Sequence, residues 1–185
     1  MINVEKRAGT FTVVDALVLG TIAAVYGALF TVWWSAYYAV KAVGGPIVAR
    51  LVTYGLWFMP APLAASLIRK PGSALLGELL PALVESILPT PGGITNLIYG
   101  IAQGAFSEAS YALFLYRRFG LVQALIAGAL PALPAFALDA LLFGDIYPVD
   151  QALVVISAIA VSGALYGAIA YSAAKVIAGS STKTP

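Results

Sequence analysis

Residues 16–40 read ALVLGTIAAVYGALFTVWWSAYYAV, 25 positions without a formal charge. A helix needs about 20 predominantly apolar residues to cross the hydrocarbon core of a bilayer, so this stretch reads as a membrane span. It is too long for the h-region of a cleaved signal and is not read as a leader. The rest of the chain repeats the pattern. Residues 51–68 and 151–174 are also uncharged. Residues 72–88 carry Glu78 and Glu85, residues 94–116 carry Glu108, and residues 121–143 carry Asp139.

The expected fold is all-α: an integral membrane protein, a bundle of six transmembrane helices in one domain over residues 1–185. The expected spans are 13–40, 50–68, 72–89, 94–116, 121–143 and 150–176. Clusters of Gly and Pro fall between them and mark turns: Gly44-Gly45-Pro46, Lys70-Pro71-Gly72, Pro89-Thr90-Pro91-Gly92-Gly93 and Gly144-Asp145-Ile146-Tyr147-Pro148. Pro81, Pro131 and Pro134 lie inside spans, where each removes a helix hydrogen bond and favours a kink.

Composition supports this class. Of the 185 residues, 61% are hydrophobic and 10% charged, and mean hydropathy is +0.94. An average soluble domain carries about 25% charged residues. An ordinary soluble domain, a disordered chain and a nucleic-acid-binding module are therefore excluded. Cys and His are absent. That removes disulfides, thiol nucleophiles, imidazole acid–base work and the usual zinc sites. No catalytic residue, metal ligand set or cofactor is assigned.

Placing the basic residues orients the bundle. With a cytoplasmic N-terminus, the inner segments hold Lys6, Arg7, Arg69, Lys70, Arg117, Arg118, Lys175 and Lys183, and the outer segments only Lys41 and Arg50. This is a positive-inside bias, and both termini are expected in the cytoplasm.

Ionisable residues inside a span mark candidate functional sites. Glu78, Glu85, Glu108 and Asp139 are all acidic, and no basic residue is expected at mid-membrane to pair with them. A buried carboxylate without a partner is expensive, so each must be protonated, hydrogen-bonded or neutralised by a ligand. Asp15, at the inner end of the first span, is expected to reach the interface. Glu78 and Glu85 are seven apart and share one helix face, about 10 Å apart along the axis. Asn96, Tyr99 and Gln103 share another face. By depth, Glu85, Asn96, Tyr99, Gln103, Asp139 and Gln151 gather in the outer half, with Trp33, Trp34, Tyr37, Tyr38, Tyr54 and Trp57. The aromatics read either as an interfacial belt or as a cage for a flat or cationic ring. Together with the carboxylates and amides they outline an outward-facing pocket for a small, polar, cationic organic molecule. Glu78 and Glu108 have a structural reading too, satisfied by Ser or backbone partners.

Small residues recur every fourth position at Ala16, Gly20, Ala24 and Ala28, at Ala124, Gly128 and Ala132, and at Ala160, Ala164, Ala168 and Ser172 with Gly163 and Gly167 beside them. Two readings are open: packing within the bundle, or docking onto a partner membrane subunit.

Five motifs occur in order along the chain. They are Tyr54-Gly55-Leu56-Trp57-Phe58-Met59, Ile68-Arg69-Lys70-Pro71-Gly72, Gly77-Glu78-Leu79-Leu80 with Glu85, Gln103-Gly104 with Glu108, and Tyr116-Arg117-Arg118-Phe119-Gly120. This series resembles the substrate-binding S components of energy-coupling factor (ECF) transporters, in particular the thiamine/hydroxymethylpyrimidine (YkoE-like) family. The resemblance implies a six-helix membrane protein of the plasma membrane with cytoplasmic termini. It implies a high-affinity vitamin site near the outer surface, with the loop after the first helix as a lid. It also implies that the chain is no enzyme and binds no nucleotide. Import then needs a transmembrane coupling subunit and two cytoplasmic ATPase subunits, and the S component topples in the membrane to release its ligand. The ridge Ala16, Gly20, Ala24, Ala28 would face the coupling subunit. For thiamine, Glu85 would neutralise the thiazolium, Trp57 or Trp34 would stack on a ring, and Gln103 and Asn96 would read the pyrimidine edge. The chain lacks the His that some thiamine binders use, which leaves thiamine against the bare pyrimidine open. The alternative function is a stand-alone proton-coupled carrier that uses Glu78 and Glu108 as relay groups; no inverted repeat or broken helix pair supports it.

Overall fold

In the computed structural model, which describes residues 10–180, the first helix starts on a reciprocal cap. Thr12 Oγ1 accepts the Asp15 N–H at 3.3 Å, and Asp15 Oδ2 accepts the Thr12 N–H at 2.7 Å, which satisfies two of the orphan donors of the first turn. Lys70 pairs with the same carboxylate. Asp15 is therefore buried and held by the protein at the start of α1.

Helix α1 runs Val13–Phe58, folded at Gly45, whose φ of 79° and ψ of 176° leave the helical region. That backbone is rarely open to a residue with a Cβ, and Pro46 follows, with no N–H to continue the ladder. The connection expected over residues 41–49 shrinks to this single glycine, so the lid implied for the loop after the first helix has no loop there to form from. α2 (Pro60–Ile68) follows after Met59, with Pro at its first position, where the missing N–H costs nothing.

Then come α3 (Ser73–Ser86), a 3₁₀ turn (Gly93–Thr95), α4 (Asn96–Ala112), α5 (Leu121–Ala129), α6 (Ala132–Phe143) and α7 (Val149–Ser180). Every regular element among the described residues is a helix. Pro131 separates α5 from α6 inside the span expected over 121–143, as its expected kink requires, whereas Pro81 lies inside α3 without ending it. Among the described residues, three stretches are long and apolar enough to cross a membrane by length and composition: Val13–Ile68, Leu121–Phe143 and Val149–Gly179. α3 and α4, at 14 and 17 residues, are shorter. Lys6, Arg7 and Lys183, three of the charges used to orient the chain, lie outside the described residues.

α1 packs on α3 and α7, α3 on α4, and α5 on α7. Where α5 and α7 cross, Gly128 and Gly163 meet backbone to backbone, and a Cβ on either would overlap the other's carbonyl. Gly167 meets Ala124 in the same way. The small residues of these two helices thus serve bundle packing, through the glycines beside the alanine ridge of α7. The ridge of α1 does the reverse. Ala16, Gly20, Ala24 and Ala28 are all exposed, and no atom lies within 4 Å of where a Gly20 Cβ would be. Leu19, Ile22, Ala23, Gly27 and Phe30 turn inward instead. Large apolar side chains such as Val14, Leu17 and Val32 on α1 and Leu165 and Ile169 on α7 are exposed. In water such a surface is a liability; against lipid tails it costs nothing.

Candidate functional site

On α1, Phe30, Trp34, Tyr38 and Lys41 follow each other at three- and four-residue steps and so share a face, with Tyr37 at its edge. After the fold at Gly45, Tyr54, Trp57 and Phe58 return along the same space. These side chains form one wall of a cavity of about 250 Å³. Glu78, Ala82 and Glu85 of α3 form the second wall, and Asn96, Tyr99, Gly100 and Gln103 of α4 the third. Asp139 and Phe143 of α6, with Asp145 just beyond it, complete the lining.

The aromatic groups touch one another. Trp34 and Trp57 lie 5.1 Å apart between centroids, Tyr54 and Trp57 5.7 Å, and Tyr37 and Tyr54 6.0 Å. Trp34 also stacks with Tyr38. Ring faces and edges at such spacings make a wall suited to a planar or cationic group.

The carboxylates divide by their partners. Glu85 is 3% exposed, and its Oε1 accepts the Trp34 indole N–H at 2.8 Å. Glu78 is 2% exposed, and its Oε2 accepts only the Ala61 N–H, at 3.3 Å. Neither has a cationic partner among the described residues. Asp139 is different. Its Oδ2 takes Arg50 Nη2 at 3.1 Å and the Tyr54 hydroxyl at 2.5 Å, and its Oδ1 takes the Tyr99 hydroxyl at 2.8 Å. The same Arg50 nitrogen reaches Asp145 at 2.5 Å, and the guanidinium lies between the rings of Tyr54 and Tyr147. The expectation that no basic residue pairs with the intramembrane acids is therefore corrected. Arg50, expected in an outer loop, is buried because the helix resumes at Pro46. That register puts Arg50 one turn before Tyr54, facing α6.

Eleven of the expected residues face this one cavity: Trp34, Tyr37, Tyr38, Tyr54, Trp57, Glu78, Glu85, Asn96, Tyr99, Gln103 and Asp139. Asn96 Nδ2 donates to Thr90 Oγ1 at 3.1 Å. The Gln103 side-chain amide makes no hydrogen bond to the protein among the described residues, which leaves a donor and an acceptor for a ligand. Three expected residues lie elsewhere, and the first of them, Gln151, is exposed in the first turn of α7 and does not line the cavity. Trp33 turns away, packs on the Leu19–Ile22–Leu56 core and donates to the Thr53 carbonyl at 2.9 Å. Glu108 accepts the backbone N–H groups of Gly72, Ala74 and Leu75 at 2.6, 2.9 and 3.1 Å. It thus satisfies the start of α3, where a negative charge is favoured. Sequence reasoning missed Lys41 and Phe30 in the lining, although both lie on the helical stripe that Trp34 and Tyr38 define. Among the described residues no group of three His, Cys, Asp or Glu is placed to hold a metal ion.

A family model described as "ABC-type cobalt transport system, permease component" matches residues 14–134. The chain belongs to this family. A solved structure described as the crystal structure of an S-component of ECF transporter superposes with a TM-score of 0.86, at 27% identity over 93% of this chain and 88% of the other. The "Putative HMP/thiamine permease protein YkoE" of Bacillus subtilis (strain 168) is 29% identical over 157 residues, 84% of this chain and 78% of that protein. The chain is thus a membrane S component of the ECF type, a transporter part and not an enzyme. The resemblance read from the motifs agrees with this assignment.

Proposed function

We propose that this S component is the high-affinity substrate-binding subunit of an ATP-driven vitamin importer, holding thiamine or its hydroxymethylpyrimidine precursor in a cavity open to the outside. The observation that carries the reading is Glu85. It is a carboxylate without a cationic partner among the described residues, fixed by Trp34 and lying against contiguous aromatic rings. A thiazolium is a permanent cation on a flat ring and suits both features. Gln103 and Asn96 face the same space and suit the donor and acceptor edge of an aminopyrimidine. The volume lies near the small end of ligand pockets, about 300–1,000 Å³, which favours a ligand of one or two rings. The relative named for HMP and thiamine supports the choice. A cobalt ion, the cargo in the family description, favours nitrogen and sulfur donors, and His and Cys are absent.

The chain crosses the plasma membrane six times in this reading, with α3 and α4 as short spans and both termini in the cytoplasm. A transmembrane coupling subunit and two cytoplasmic ATPase subunits complete the transporter, and the uncovered ridge Ala16, Gly20, Ala24, Ala28 docks on the coupling subunit. A proton-coupled carrier relaying through Glu78 and Glu108 is not favoured, because Glu108 is committed to the start of α3. The test is calorimetric titration of the purified chain with thiamine and with hydroxymethylpyrimidine, without ATP. Submicromolar binding of either is the expected result; binding no tighter than millimolar for both sinks the proposal.

A further inference from the structure

At the end of the bundle away from the ligand cavity, a second cavity of about 320 Å³ opens between the last turn of α2 and the C-terminal part of α7. Arg69 and Lys175 line it from the two sides, with Tyr171, Leu67, Ala174 and Ala178 between them. Arg69 is the residue that closes α2, in a left-handed conformation, and its Nε donates to the Ser66 carbonyl at 3.2 Å. Lys175 Nζ lies 5.8 Å from the centre of the Tyr171 ring. Neither cation meets a carboxylate among the described residues. Among the described residues no acid of this end is available to them, since Asp15 is taken by Lys70 and Glu108 by the backbone of α3. Two like charges sharing one notch repel each other, so the arrangement gains from an anion placed between them. Around α7 from the notch, the exposed Leu165, Ile169 and Val176 share one outward face and offer apolar surface along the helix. Tyr171 supplies the amphipathic ring that favours the headgroup level of a bilayer.

We propose that this notch binds the phosphodiester headgroup of an anionic phospholipid, with Arg69 and Lys175 as its cationic contacts and the outer face of α7 as the lane for its acyl chains. Basic pockets between helices at the charged end of a membrane protein recognise such headgroups. A free phosphate would use the same two cations, but only a lipid also uses the apolar lane. The site is separate from the ligand cavity and does not depend on what that cavity binds.

The test uses the full chain in neutral detergent with phosphatidylglycerol, phosphatidylcholine or inorganic phosphate, followed by native mass spectrometry and thermal unfolding. Wild type should retain a phosphatidylglycerol adduct and gain Tm with it, and retention should fall with salt. Each surface cation is worth about 1 kcal/mol to an anionic lipid, so Arg69→Gln/Lys175→Gln should bind it about 25-fold more weakly. The charge-conserving Arg69→Lys/Lys175→Arg should retain it, and Arg118→Gln, in the exposed turn after α4 and outside the notch, should retain it as wild type does. Equal retention by the Gln variant and wild type overturns the proposal. So does equal protection by phosphatidylcholine or by inorganic phosphate. Loss of the coupling subunit by the Gln variant with unchanged lipid retention also overturns it, since the notch would then serve that partner.

Discussion

Arg50 is completely buried, and its guanidinium joins α1, α6 and the segment after α6 through Asp139, Asp145 and Tyr147. Removing one partner of a buried ion pair leaves the other charge uncompensated and costs about 3–5 kcal/mol. Arg50→Met is therefore expected to lower Tm sharply, while Arg50→Met/Asp139→Asn recovers part of the loss. A double-mutant cycle by thermal unfolding measures the coupling, and strictly additive effects would contradict the pair. Glu85 poses the opposite case, a carboxylate whose natural partner is the ligand. Glu85→Gln keeps the shape and removes the charge. A hydrogen bond to a charged group is worth about 1.5–3 kcal/mol, so affinity for thiamine should drop roughly ten- to hundredfold by titration. The uncharged hydroxymethylpyrimidine should lose far less, and equal losses would argue that Glu85 does not meet the cation. At this scale the sequence was legible wherever helical spacing decides. Glu78 with Glu85, and Asn96 with Tyr99 and Gln103, fall on shared faces, and all five line the cavity. The partner of Asp139 was not legible, because it lies 89 residues away behind a one-residue break. Trp33 and Trp34 are adjacent, so on a helix they diverge by about 100°; only the stripe through Tyr38 and Lys41 tells which one faces the cavity.

Between elements, Glu108 reaches from α4 to the start of α3 and accepts three of its unpaired N–H groups. Glu108→Gln retains an acceptor but loses the charge that favours a helix start. It should cost about 1 kcal/mol of stability and leave ligand affinity within twofold. A larger change in affinity than in Tm would return Glu108 to the site. The ridge of α1 makes the complementary prediction. Ala24 and Gly20 face away from every other helix, so Ala24→Leu and Gly20→Leu should leave Tm and ligand binding unchanged. Close approach of a second membrane protein needs those small residues, so co-purification with the coupling subunit should fall at least tenfold. Loss of ligand binding together with loss of the partner would mean that the ridge supports the fold instead. The sequence showed the four-residue spacing of all three small-residue series but not their use. Spacing is the same for a helix packed inside a bundle and for one facing outward; only the inward Gly163 and Gly128 and the outward Ala24 separate the two cases.

Across the whole molecule the charges separate by end. Arg69, Lys70 and Lys175 gather near the start of α1, and Arg117 and Arg118 lie in the turn beside Phe119, which packs against the Ala65–Ala74 side of the bundle. Lys41 and Arg50 are at the ligand cavity, with Glu85, Asp139 and Asp145. Basic residues are retained on the cytoplasmic side during insertion, whereas acidic ones contribute little to orientation. The end with Arg69, Arg117 and Lys175 should therefore face the cytoplasm and the cavity should face outward. Reporter fusions check this on the intact chain in cells. Green fluorescent protein joined after residue 185, or inserted between Arg117 and Arg118, should fluoresce. Alkaline phosphatase inserted at Gly144 should be active, and its insertion at Arg117 should be inactive. Activity in the opposite pattern would invert the cavity and remove the basis for uptake from outside. The reading is sharp because Arg117 and Arg118 are exposed and unpaired among the described residues. Replacing both with Glu leaves the fold's internal contacts intact while weakening the bias. The Arg117→Glu/Arg118→Glu chain should then give a mixed population, with part of the molecules showing phosphatase activity at that turn, as orientation by charge requires.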